Sequence, residues 1–155
     1  MTTDTQQVTG LETSVASMVR VAWDAFMLTE PKMGEAPIFA RDALVISATV
    51  CLSGAWEGVL MAECEPATAR RLCAELLSME PAEVEPDDIA DTMAEVANVL
   101  GGNIKNVLPS PTLLSLPVVS TRLSFAVVRD AIELCRLPFT WDGDRLQIVV
   151  WGTRT

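Results

Sequence analysis

The sequence of 155 residues contains no histidine. Without an imidazole, the chain can have no Ser-His-Asp triad, no histidine metal ligand and no histidine phosphoacceptor. Cations are also scarce, because 11 Lys and Arg residues stand against 21 Asp and Glu residues, a formal net charge of −10. A surface of that sign repels phosphate backbones and anionic lipids. We therefore expect neither nucleic acid nor a membrane as a partner, and any chemistry must use carboxylates, amides, hydroxyls or thiols.

The chain also lacks a C-x-x-C pair, and its four cysteines are scattered among apolar neighbours: Cys51, Cys64, Cys73 and Cys135. Because cysteine packs as a small hydrophobe, we expect four buried free thiols and no disulfides. Residues 1–10 carry neither the basic nor the apolar part of a secretory signal. The longest apolar stretch, 43–52, is shorter than the about 18 residues that a membrane span requires. Together these features predict a cytoplasmic protein.

Half of the residues are hydrophobic, which is enough apolar material for the core of one domain. We expect residues 1–10 to be flexible and residues 11–155 to form that domain. Three-and-four spacing of apolar residues predicts helices over 11–28, 66–79 and 86–108. Alternating or β-rich runs predict strands over 43–52, 55–63, 112–119, 122–128, 132–140 and 145–151. Helices and mainly antiparallel strands in separate blocks indicate an α+β fold, with one layer of helices on one sheet.

The helix predicted over 86–108 has two different sides. At 100° per residue, six apolar residues share a narrow sector that must face the sheet: Ile89, Met93, Val96, Leu100, Ile104 and Val107. The opposite side carries Asp91, Glu95, Asn98, Gly102 and Lys105. Glu95 and Asn98 are three residues apart and therefore neighbours, one turn apart. Such a pair can be part of an ordinary solvated surface. However, Asn98 and the following Gly101-Gly102 are poor helix formers. A polar pair beside a smooth exposed surface at the glycines suits a docked partner.

The run from Asp88 to Lys105 resembles the signature helix of the CheX branch of the CheC/CheX/FliY phosphatases, whose pattern is close to E-L-A-N-x-x-A-G-N-x-K. In this sequence the corresponding letters are E-V-A-N-V-L-G-G-N-I-K, from Glu95 to Lys105. The hairpin around Ser53-Gly54, the strand at 114–119 and the closing Leu137-Pro138-Phe139 follow in the order of that family. The resemblance runs from residue 11 to residue 152. It implies an α+β fold in which two long helices and a shorter helix are layered on a mainly antiparallel sheet.

The resemblance also implies an activity, the removal of phosphate from the aspartyl-phosphate of a CheY-like receiver domain in chemotaxis or two-component signalling. It assigns to Asn98 the orientation of the attacking water and to Glu95 a contact with a lysine of the receiver. These roles are chemically sound, because phosphoryl transfer depends mainly on positioning and electrostatics. The chain then needs no cofactor of its own, since Mg²⁺ and the acceptor aspartate belong to the receiver. Asp91, Gly102 and Lys105 are candidate partner contacts, although for Lys105 a solvated charge is the favoured interpretation.

The match to the family has departures and leaves alternatives. CheC chains carry a second E-x-x-N in an earlier helix, where this sequence has Glu12-Thr-Ser-Val15, so we expect one site per chain. Asn103, at the edge of the apolar stripe, is expected to bond a neighbouring backbone group. The CheX branch also implies a homodimer joined through its sheets. A non-catalytic module that docks on a receiver or on a flagellar switch component is the main alternative, and a structural dimerisation domain is another. Because both Glu95 and Asn98 are present, catalysis is favoured.

Overall fold

A computed structural model describes residues 3–26, 28–34, 39–40, 42–123 and 129–153. Its helices are α1 (Thr3–Ala25), α2 (Pro66–Leu77) and α3 (Pro86–Lys105), with a short 3₁₀ turn at Pro81–Glu83. Its strands are β1 (Lys32–Met33), β2 (Leu44–Gly54), β3 (Gly58–Cys64), β4 (Thr112–Leu114), β5 (Val118–Leu123), β6 (Ala131–Trp141) and β7 (Asp144–Thr153). None of the helices in these ranges is both long and apolar enough to cross a membrane.

The strands form one sheet in the order β1-β6-β7-β3-β2, and all of its pairings are antiparallel. The outer side of β2 is shared, because β5 pairs with its first half and β4 with its last three residues. All three helices contribute to one core with alternate residues of the central strands, such as Ala48, Val50 and Leu60. This arrangement confirms the predicted α+β fold, with the helices on one face of the sheet. We call the other face the far face.

The helix boundaries differ from the prediction in all three helices, and α2 ends at Leu77, before the predicted residue 79. The first helix begins at Thr3 and not at residue 11, because the prediction followed apolar spacing and polar residues can extend a helix without it. It ends at Ala25, before the predicted residue 28. The third helix ends at Lys105, and the next amides bond three residues back in a tighter turn. Val107 is therefore 51% exposed and is not part of the buried stripe.

The predicted strands are corrected in two respects. The run predicted over 112–119 is divided at Ser115, whose hydroxyl accepts a hydrogen bond from the Cys51 N–H at 2.8 Å. In the strand predicted over 43–52, the alternation places Leu44 on the apolar face and Ser47 on the polar face, but Leu44 is 53% exposed and Ser47 is fully buried. Because Ser47 lies on the far face, the centre of that face is also buried. A strand with one buried face and one solvent-exposed face would have left Ser47 exposed. Residues 124–128 of the strand predicted over 122–128 lie outside the described residues.

The cysteine prediction is confirmed at three positions and wrong at one. All four thiols are free, and Cys64, Cys73 and Cys135 are buried. Burial raises the pKa of Cys64 and that of Cys135 to about 12, so both remain protonated at neutral pH. Cys51 is exposed, because its side chain lies near the β4 edge, on the far face of the sheet.

Candidate functional site

The third helix lies in the middle of the helix layer, where it contacts both other helices and the strands β2 to β5. Pro86 occupies its first turn, and the Asp88 carboxylate accepts a hydrogen bond from the Glu85 N–H at 3.0 Å, which caps the helix. Five of the six predicted stripe residues are buried against the sheet: Ile89, Met93, Val96, Leu100 and Ile104. A helix with one side fixed in this way must present its opposite side to solvent.

That opposite side carries the predicted pair. Glu95 and Asn98 are both exposed, and neither side chain forms a hydrogen bond or ion pair with any described residue. Their Cα atoms are separated by three residues, about 4.5 Å along the helix axis and about 60° around it. The helix α3, packed against the sheet on its opposite side, therefore holds a carboxylate and a carboxamide next to each other. Both polar groups are available to a partner.

Gly101 and Gly102 have different environments, which corrects the expected smooth glycine spot. Gly101 is buried, and a Cβ atom built on it would lie 2.8 Å from Leu114 Cδ1 and 2.9 Å from Val50 Cγ2. Gly101 therefore permits close packing of α3 on β2 and β4. A Cβ atom built on Gly102 would meet nothing within 4 Å, so only Gly102 is part of the accessible surface.

The remaining predicted contacts are spread along the helix. Asp91 and Lys105 are exposed, but they are 14 residues apart, which is about 21 Å along the axis. One compact ligand cannot touch both, whereas a protein surface can. Asn103 is half-buried, and its side chain makes no hydrogen bond to a described residue, so the expected backbone bond is not formed. In the first helix Val15 is buried in the core, and no second E-x-x-N site exists there.

The chemistry that this surface can perform is limited to binding and orienting. Among the described residues, no group of three or more Cys, Asp or Glu side chains could hold a metal ion. Glu95 can accept hydrogen bonds from a cation, and Asn98 can both accept and donate. Neither group needs to become covalently bonded to a substrate. The arrangement is therefore suited to binding and orienting groups of a partner.

The prediction from sequence missed a buried polar group on the far face. Glu63 is 1% exposed, and Arg122 Nη2 lies 4.0 Å from its Oε1 atom. Burial raises the pKa of the Glu63 carboxyl, and the charges of Arg122 and Arg136 oppose that rise only in part. A sequence signal did exist, since Glu63 follows the apolar Val59 and Met61 at strand spacing.

This chain resembles a known protein family and several solved structures. A family model for the chemotaxis phosphatase CheX matches residues 46–140, more than half of the chain. A search of curated proteins gives no match. Among solved structures, the chemotaxis protein CheX from Vibrio vulnificus is 20% identical, with a TM-score of 0.70, over 90% of this chain and 94% of that one.

Two further structures show how widely the fold is shared. A CheX-CheY-BeF3-Mg complex from Borrelia burgdorferi contains a chain that is 18% identical, with a TM-score of 0.67, over 94% of this chain and 96% of that one. The FliM–SpeE complex from H. pylori contains a chain that is 8% identical, with a TM-score of 0.65, over 96% and 86%. At such identities the likeness concerns the fold. The family model is more specific and spans the whole of α3, so the chain belongs to the family described as chemotaxis phosphatase CheX.

Proposed function

We propose that this chain hydrolyses the aspartyl-phosphate of a CheY-like receiver domain in the cytoplasm. One observation carries the proposal: Glu95 and Asn98 stand one turn apart, exposed and without partners among the described residues, on a helix whose other side is buried. Membership of the CheX family supports the reaction, and the Borrelia burgdorferi complex with CheY, BeF3 and Mg supports the class of partner.

In the proposed reaction a water oxygen attacks phosphorus in line with the bond to the aspartate oxygen. That P–O bond breaks, the aspartate carboxylate leaves with the electron pair, and the proton of the water passes to phosphate or solvent. Asn98 accepts one hydrogen bond from the water and so holds it in line without acting as a base. Glu95 binds a lysine of the receiver. The receiver supplies the acceptor aspartate and the Mg²⁺ that neutralises the phosphoryl oxygens.

Asp91, Gly102 and Lys105 belong to the proposed docking surface in different ways. Asp91 lies one turn before Glu95 and adds a second carboxylate on the same side. Gly102 leaves space beside Asn98, because no atom lies within 4 Å of its missing side chain. Lys105 extends the surface toward the helix end, where a cation is also favoured by the helix dipole.

The proposed assembly is a homodimer joined through sheet edges, with both α3 helices accessible. Of the two edges, β6 fits better, because α3 lies beside the β4–β5 edge and a subunit there would crowd it. In the described part of the chain, the outer side of β6 pairs with β1 only at Phe139 and Thr140, which leaves most of an 11-residue strand open. Such an edge invites pairing with a second copy.

A second candidate function is docking without catalysis. The structure from H. pylori supports it, since the same architecture occurs in a chain of a FliM–SpeE complex. The two functions differ in one measurement, the rate at which the chain releases phosphate from a phosphorylated receiver.

The decisive experiment replaces Asn98 with Ala. We expect turnover of a CheY-like receiver, phosphorylated with acetyl phosphate, to fall at least about 100-fold, because a misplaced water loses that much. The thermal midpoint should hardly change, since Ala is the better helix former. Asn106→Ala is the control, as Asn106 is an exposed asparagine at the end of the same helix. Equal rates for Asn98→Ala and the parent would contradict the water-positioning role, and a parent that binds the receiver without hydrolysis would support the docking module.

A further inference from the structure

The surface beside Asn98 is formed by the β4 edge of the sheet. A Cβ atom built on Gly101 would lie 2.8 Å from Leu114 Cδ1 of β4. Asn98 is one turn before Gly101 and about 60° around the helix from it, whereas Glu95 is about 120° away. The chain that follows β4 therefore flanks the helix on the side of Asn98.

This flank is uncharged in a strongly acidic protein. Residues 106–121 contain no Asp, Glu, Lys or Arg, although the net charge of the whole chain is −10. Within this run Leu116 is 87% exposed, the largest exposure among the large hydrophobic residues that the structure describes. A leucine so exposed, beside a proposed site, is a candidate anchor for a partner.

The backbone around Leu116 is held firmly against the sheet. Ser115 N–H donates to the Cys51 carbonyl at 2.9 Å, and Cys51 N–H donates to Ser115 Oγ at 2.8 Å. The Ser115 hydroxyl donates in turn to the Leu116 carbonyl at 3.0 Å. Pro117 follows and restricts the conformation of Leu116. An anchor that is ordered before binding loses less entropy when the partner docks.

We propose that Leu116 is an apolar contact for the receiver domain that docks on Glu95 and Asn98, an inference that rests on the proposed function. The family resemblance gives the receiver an acidic pocket, and this chain has a net charge of −10, so carboxylates of the two proteins repel each other near that pocket. The uncharged run beside Asn98 is a surface on which they can meet without opposing like charges. Leu116 then adds affinity, while Glu95 and Asn98 act at the reacting group.

The test is Leu116→Ser in the full chain, with Leu77→Ser as the matched control. Leu77 is also exposed, but it is the last residue of α2 and precedes the segment that leads into the N-terminal end of α3. For Leu116→Ser we expect KM for the phosphorylated receiver to rise at least tenfold and kcat to stay within twofold, since Leu116 touches no reacting atom. Leu77→Ser should change neither constant.

A second measurement keeps this inference separate from the proposed hydrolysis. Kd for a receiver loaded with BeF3 and Mg²⁺ is compared between the parent and Leu116→Ser, and this comparison needs no turnover. A tenfold weaker Kd supports the contact even where the parent hydrolyses nothing. Equal Kd and KM values in the two proteins overturn it. Dissociation of a parental dimer by Leu116→Ser, seen by sedimentation, also overturns it, because Leu116 then belongs to a subunit interface.

Discussion

Glu95 and Asn98 are neighbours on α3, but their side chains differ in charge, and this difference separates their proposed roles. A carboxylate attracts a cation over several ångströms, which suits recognition of a receiver lysine. A carboxamide is neutral and directs hydrogen bonds at short range, which suits a bound water. At the scale of single residues, we therefore expect changes at Glu95 to act first on binding and changes at Asn98 to act on turnover.

Replacement of Glu95 tests the binding role. A charge-assisted hydrogen bond contributes about 1.5–3 kcal/mol, so Glu95→Gln should weaken binding of a BeF3-loaded receiver by about 10- to 100-fold. Glu95→Lys should bind more weakly still, because it places a cation against the receiver lysine. Titration of the receiver measures both values. Glu75→Lys on α2 is the control, since Glu75 is exposed outside the motif. Unchanged affinity in both Glu95 variants would remove Glu95 from the site.

The pH dependence of stability tests the environment of Glu63. Arg122 on β5, Arg136 and Glu133 on β6, and Gln147 on β7 act on this carboxyl, but burial prevails and raises its pKa. The folded chain thus holds the Glu63 proton more tightly than the unfolded chain, whose carboxyl has the ordinary pKa of 4.5. Its contribution to stability is greatest below that value and is lost as pH rises through the folded-state pKa.

We therefore expect Glu63→Gln to make the free energy of unfolding fall less steeply as pH rises above the ordinary carboxyl pKa of 4.5. Urea unfolding at several pH values measures the slope. Glu75→Gln provides the control, because Glu75 is exposed on α2 and should leave the parental slope unchanged. A parental slope in Glu63→Gln would mean that this carboxyl does not control the pH dependence.

At the scale of elements, the glycine pair gives a matched comparison within one helix. Gly101→Ala gains about 1 kcal/mol of helix propensity but forces a methyl group against Leu114 and Val50, and overpacking costs about 1–3 kcal/mol. We expect a net loss of up to about 2 kcal/mol in the free energy of unfolding. Gly102→Ala meets no neighbour and should gain up to about 1 kcal/mol. Urea unfolding compares the two, and equal gains would show that α3 can move away from β4 freely.

At the scale of the whole molecule, the proposed homodimer predicts a stoichiometry. If the subunits join through β6, the two α3 helices remain apart, and each should bind one receiver. Sedimentation at micromolar concentration should show a dimer, and saturation with BeF3-loaded receiver should reach two receivers per dimer. A fully active monomer would contradict the assembly. A dimer that binds only one receiver would show that the two sites obstruct each other.

The third helix, α3, was the part of the fold that the sequence predicted best. Its start at Pro86, its buried stripe and its exposed pair all follow from a 3.6-residue period that is local to the chain. Its end was set three residues too late, because Val107 continues the apolar spacing although the chain has already turned toward β4. The proposed roles of Asp91, Gly102 and Lys105 remain predictions.

By itself, the sequence determined the order of the three helices, the α+β class, and the side of α3 that carries Glu95 and Asn98, because these depend on residue types at short, regular spacings. It missed β1, and it joined β4 and the start of β5 in one strand. Only the tertiary structure decided which glycine is buried and which cysteine is exposed. It also decided that Glu63 is buried next to Arg122. Each of these depends on strands brought together from distant parts of the chain, such as β2 with β4 and β5. A residue is buried by neighbours that strand pairing brings close in space, and a local sequence pattern does not identify those neighbours.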